Sequence, residues 1–83
     1  ASQERDYLSR NLSALGCRVI PGRADYLLFY CEDAALDAKL RERAILIRNC
    51  DNYDGLGAGW FRIAVKSHAD NERLVAALQE VLG

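Results

Sequence analysis

A-I-L-I-R-N-C-D-N-Y-D-G-L-G-A-G-W-F-R-I-A-V, residues 44–65, decides the fold of this chain. Two short apolar, β-prone runs, 44–48 and 60–65, flank a stretch dominated by Asn, Asp and Gly, residue types that tolerate turns and positive φ. The reading is strand, loop, strand. The first strand breaks off at Arg48. In the second, Arg62 stands between Phe61 and Ile63, so the period of two in a strand sends its side chain to the face opposite both neighbours.

Working outward, residues 33–43 read as a helix capped by Asp33, with Ala35, Leu36 and Leu40 on one face and Asp37, Lys39, Arg41 and Glu42 on the other. Residues 17–20 and 26–30 are β-prone and are separated by Pro21-Gly22, a turn signal. Residues 3–15 place Leu8, Leu12 and Leu15 at helical spacing, with Gly16 as the stop. At the other end Ser67 and Asp70 have the spacing of a capping box, and Leu74, Ala77, Leu78 and Val81 form the apolar stripe of a last helix. The order is α-β-β-α-β-β-α. It predicts one domain over residues 1–83, a small two-layer α/β (α+β) sandwich with a mixed or antiparallel sheet and helices packed on it.

Composition narrows the function. Eleven basic and twelve acidic residues are interspersed, for a formal net charge of −1, so the chain lacks the basic field that nucleic acid or an anionic membrane surface requires. No apolar run approaches the roughly 20 residues of a membrane span, and the N-terminus lacks a signal-peptide pattern, so a soluble, cytoplasmic protein is expected. Cys17, Cys31 and Cys50 show no C-x-x-C spacing, which points to free thiols acting as small apolar fillers. Nine of the eleven basic residues are arginine, the better clamp for carboxylate and phosphate because its planar fork donates two parallel hydrogen bonds.

The sequence fails most tests for a self-contained catalyst. His68 lies in the first turn of the last helix with no second metal ligand or nucleophile at a useful spacing, and reads as a surface residue. Gly55-x-Gly57-x-Gly59 does not match G-x-G-x-x-G and leads into a strand, so no helix N-terminus awaits a phosphate. Residues 51–54 offer oxygen donors, yet Tyr53 stands where a calcium loop needs a ligand and Arg62 where it needs its closing glutamate. No metal site is expected.

Over residues 45–78 the wording I-L-I-R-N-C-D-N-Y-D-G-L-G-A-G-W-F-R-I-A-V-K-S-H-A-D-N-E-R-L-V-A-A-L resembles the C-terminal signature of fold-type I pyridoxal-phosphate (PLP) enzymes of aminotransferase class I and II. Leu15-Gly16, Val19-Ile20-Pro21 and 26–29 extend the resemblance over nearly the whole chain. Within that class it is similar to the threonine-phosphate decarboxylases of cobalamin biosynthesis and to the histidinol-phosphate aminotransferases. Arg-x-Cys-x-Asn-aromatic-x-Gly-Leu and Ala-Val-Lys after Arg62 resemble the decarboxylases more. At Asp25-Tyr26 the chain departs from the Asn-Phe usual in both groups, and no role is transferred to that turn.

The resemblance implies that this is the C-terminal small domain of a homodimeric parent enzyme, docked on a large domain of the same chain. That absent domain would carry PLP, its Schiff-base lysine and its phosphate cradle, leaving the fragment alone inactive and without cofactor. It also implies a phosphorylated amino acid or amino alcohol as substrate, with Arg62 on the carboxylate and Arg48 on the phosphate. Spacing alone leaves either arginine free to serve a structural ion pair. Tyr53 and Trp60 could line the cleft or pack between elements. A stand-alone regulatory or interaction module is the alternative from another class.

Overall fold

The computed structural model describes residues 2–20, 25–50 and 55–83. Among them the order is α1 (Ser2–Ala14), β1 (Arg18–Ile20), β2 (Tyr26–Tyr30), α2 (Leu36–Arg41), β3 (Arg48–Asn49), β4 (Trp60–Ala64) and α3 (His68–Leu82), matching the order expected from the sequence. Every strand pair is antiparallel and the sheet order is β1-β2-β4-β3, which removes the mixed alternative. The Pro21-Gly22 turn lies outside the described residues.

The period of two sorts each strand cleanly. Leu27 and Phe29 of β2 and Phe61 and Ile63 of β4 are buried, whereas Tyr26, Leu28, Tyr30, Trp60 and Arg62 are half-buried. Phe29 and Phe61 are cross-strand partners whose ring centroids lie 5.9 Å apart. Leu8 and Leu12 of α1, Leu36 and Leu40 of α2 and Leu74 and Leu78 of α3 close over that face. Burying each such side chain contributes roughly 1.5–3 kcal/mol, so the helices are held by packing on the sheet rather than by propensity. Among the described residues no helix covers the opposite face of the sheet.

Helices α1 and α2 end alike. At α1, Gly16 adopts φ +89°, with Gly16 N–H donating to Ser13 O and Cys17 N–H to Leu12 O. At α2, Ala44 adopts φ +61°, with Ala44 N–H donating to Arg41 O and Ile45 N–H to Leu40 O. Both are Schellman ends, the second built on a residue with a Cβ. Helix α3 begins as expected: Ser67 Oγ accepts from Asp70 N–H at 3.3 Å. The Asp70 carboxylate faces Arg73 at 3.7 Å.

Two elements differ from expectation. The second helix is shorter than 33–43, and Asp33 caps a turn rather than the helix: its carboxylate accepts from Ala35 N–H and pairs with Lys39, a local bond that competes with helix initiation. Lys39 holds the Asp33 carboxyl below its ordinary pKa, and Ala35 is exposed rather than on the buried face. Residues 44–47 are not a strand. The turn at Ala44 stands the chain off the sheet, so Ile45 and Ile47 pack against the core without joining β4, and Leu46 is 77% exposed. Pairing begins at Arg48.

Candidate functional site

Arg48 and Arg62 are brought together by register. In the β3–β4 ladder they are direct cross-strand partners, and partners in an antiparallel pair share a face with Cβ atoms about 4.5–5.5 Å apart. That face is the one without helices. Two guanidinium groups rooted so close repel unless they diverge or share an anion. Arg62 leans toward β2, with Cζ 4.8 Å from the centroid of the Tyr26 ring. The aromatic face attracts the cation and leaves the edges of the guanidinium, where its N–H donors lie, for a planar anion.

Among the described residues no carboxylate pairs with Arg62 within 4.0 Å, whereas Asp70 faces Arg73 and Asp37 accepts from Asn49 Nδ2 at 3.2 Å. A cavity of about 910 Å³ opens beside the arginine pair. It exists because β3 is so short: beyond Arg62 the outer edge of β4 has no strand partner, and the stretch 44–47 forms the far wall. Its walls carry five cationic side chains, Arg41, Arg48, Arg62, Lys66 and Arg73, against the carboxylates of Asp25, Asp37 and Asp70. Five cations against three carboxylates, with Arg73 and Asp70 facing each other, leave the walls a formal charge of +2, which favours an anion.

Arg41 joins this site without a sequence signal of its own, whereas Tyr26, Lys66 and Arg73 lie in stretches compared with the family but were assigned no role there. The Tyr26 ring reaches Arg62 because Tyr26 pairs with Ala64, two positions further along the same face. Trp60 is on that face too, but packs against Tyr30 with centroids 5.4 Å apart, outside the cavity walls. Tyr53 and the rest of 51–54 lie outside the described residues. Gly59 leads into the strand rather than a helix. It adopts φ +95°, and a Cβ there would stand 2.6 Å from Cys31 O, so the position requires glycine.

The remaining motifs are structural. His68 is exposed and joins helices: its Nδ1 lies 3.0 Å from the Glu4 carboxylate and its Nε2 3.5 Å from that of Glu72. Asn71, fully buried and unmarked in the sequence, ties three elements. Its Oδ1 accepts from Lys66 N–H, and its Nδ2 donates to Lys66 O at 3.0 Å and to Glu4 at 2.9 Å. The Asn71 amide, chiefly, and His68 hold the Glu4 carboxyl below its ordinary pKa. Among the described residues no three metal-binding side chains cluster, and no helix is long and apolar enough to cross a membrane.

No family model matches the chain. It is 53% identical over 66 residues, 77% of its length, to the threonine-phosphate decarboxylase of Salmonella typhimurium, covering 18% of that protein. It is 40% identical over 81 residues, 95% of its length, to the histidinol-phosphate aminotransferase of Caldanaerobacter subterraneus, covering 23%. The crystal structure of the histidinol-phosphate aminotransferase from Clostridium acetobutylicum superposes with a TM-score of 0.88 at 29% identity, over 96% of this chain and 25% of that one. The chain thus spans about a fifth to a quarter of its relatives. By sequence and by fold, it belongs to the aminotransferase-class PLP enzymes related to threonine-phosphate decarboxylase and histidinol-phosphate aminotransferase, of which it represents one small domain.

Proposed function

We propose that the chain is the C-terminal, substrate-gripping domain of a PLP-dependent enzyme acting on a phosphorylated amino substrate, and that its reaction is decarboxylation of L-threonine O-3-phosphate in cobalamin biosynthesis. The observation that carries this reading is the cross-strand pair Arg48–Arg62 at the rim of a net-cationic cavity. A substrate with a carboxylate at one end and a phosphate at the other matches two arginines that stand on neighbouring strands and share a face. Arg62, braced on Tyr26, takes the planar carboxylate in a bidentate fork, and Arg48 takes the phosphate. The choice of decarboxylase rests on the 53% identity; histidinol-phosphate transamination is the second reading, favoured by a match that runs over more of the chain.

The residues described here do not themselves fit PLP. Lys39 is paired with Asp33 on an exposed helix and Lys66 is exposed beyond β4, so neither is a buried amine suited to a Schiff base. The cofactor is read as held by a large domain outside this sequence, where it would stabilise negative charge developing on the substrate. This chain's part is orientation. Fixing the substrate at two anions sets which bond at its α-carbon faces the cofactor, and such positioning is worth orders of magnitude in rate. The large domain is expected to cover the helix-free face of the sheet, where Leu28, Tyr30 and Trp60 stand half-buried.

The test is a product assay of the full-length enzyme with threonine phosphate and with histidinol phosphate plus an α-keto acid acceptor. Carbon dioxide release from the first supports the decarboxylase, and amino transfer from the second replaces it with the alternative. With threonine phosphate, Arg62→Ala should lower kcat/KM by about 10²-fold or more, and unchanged kinetics would sink the site assignment.

A further inference from the structure

Cys17 and Cys31 lie at the base of the β1–β2 hairpin. The β1–β2 register pairs Arg18 with Tyr30, so the next residues outward, Cys17 and Cys31, stand opposite each other. Both side chains take the core face, with Val19 and Phe29, and both are buried. Their backbone bonds define the kind of pair they make. Cys31 N–H donates to Gly59 O, on the β4 side, and Cys17 N–H donates back to Leu12 O in α1. Neither N–H points across to the other strand, so the two form a non-hydrogen-bonded pair, whose Cα atoms approach to about 4.5 Å. That separation lies inside the window of about 4.4–6.8 Å that a disulfide spans without moving the backbone.

We propose that Cys17 and Cys31 are a redox-modifiable dithiol, converted by a small-molecule disulfide into an intrachain cross-strand disulfide that locks the β1–β2 hairpin, with Cys50 taking no part. The exchange balances in two displacements. One sulfur attacks the small disulfide R–S–S–R, forming a mixed disulfide and releasing one R–SH. The neighbouring cysteine sulfur then displaces the second R–SH, and the two cysteine protons end on the two released thiols. Cys17 and Cys31 are oxidised and the reagent is reduced. Burial, and then the neighbouring Cys31, push the Cys17 thiol up to about 12, which keeps it protonated and makes the first attack slow at neutral pH. Once that step occurs, the second has its nucleophile directly across the ladder. Cys50 lies beyond β3, at the opposite edge of the sheet from β1, with its sulfur 3.9 Å from Arg48 O.

The sequence suits the experiment, because trypsin places the three cysteines in separate peptides, 11–18, 24–39 and 49–62. The full-length protein is incubated with oxidised glutathione, its remaining thiols are alkylated in denaturant, and the digest is read by mass spectrometry without reduction. The expected product is peptide 11–18 joined to 24–39, with 49–62 alkylated. The thermal midpoint should rise on oxidation, and this rise should vanish in Cys17→Ser and persist in Cys50→Ser. A cross-link involving 49–62, a lasting glutathione adduct on Cys17 or Cys31, or alkylation of all three cysteines would overturn the proposal, as would a rise that survives in Cys17→Ser.

Discussion

Along β4, Phe61 and Ile63 point beneath the helices while Trp60, Arg62 and Ala64 point the other way. The buried side is closed by Phe29, Leu27 and the leucines of three helices, where a lost methylene leaves a void. The other side is half-open and carries Arg18, Arg48, Arg62, Tyr26 and Tyr30. One face of a five-residue strand thus serves stability, and the other is the one to which the proposed substrate grip is assigned. Adjacent residues can therefore be separated experimentally.

Phe61→Ala is expected to have the largest effect, a loss of roughly 3–5 kcal/mol in stability, enough to unfold a marginal domain in a denaturant titration. Arg62→Ala, one residue away, should leave the denaturation midpoint nearly unchanged while removing about 2.7 kcal/mol of transition-state stabilisation, the equivalent of the 10²-fold fall in kcat/KM. If both variants lose stability alike, the division of β4 into two faces fails.

Smaller changes refine the comparison where the strands enter and leave. Gly59→Ala combines a positive φ with a Cβ driven against Cys31 O, and should cost about 1–3 kcal/mol, read as a lowered thermal midpoint. Ala44→Gly should do the reverse. It relieves a left-handed Ala at the Schellman end of α2 and is expected to stabilise by up to about 1 kcal/mol, whereas Gly16→Ala at the matching end of α1 should destabilise.

The smallest effect is titration at the helix junction. Because the folded Glu4 carboxyl sits below its ordinary pKa, Glu4 contributes stability above that ordinary value and loses it as pH falls through the folded one. The thermal-midpoint gap between wild type and Glu4→Gln should therefore be widest near neutrality and shrink as the pH falls below the ordinary carboxyl range. A gap that grows on acidification would reverse the assignment.

Local pattern carried most of the architecture. The period of two at 26–30 and 60–65, helical spacing of Leu8 and Leu12, Gly16 as a stop and Ser67 as a cap were each readable within a few residues, because dihedral preferences and amphipathic periodicity act at that range. The family wording added Arg48 and Arg62 as candidates. What the chain could not disclose locally was where strands begin to pair. Residues 44–47 have β-prone composition, yet the left-handed turn at Ala44 diverts them, and this deviation opens the cavity. Asn71 gave no signal either, since a buried asparagine is defined by the Lys66 and Glu4 groups it satisfies.

By itself, then, the sequence determined the elements, their order and the presence of two exposed-capable arginines on neighbouring strands. Only the tertiary structure decided that Arg48 stands directly opposite Arg62, that Tyr26 lies beneath Arg62, and that Cys17 stands across the ladder from Cys31. The physical reason is register: a one-residue slip reverses every side chain between faces, and register is set by long-range packing and turn geometry rather than by any single segment.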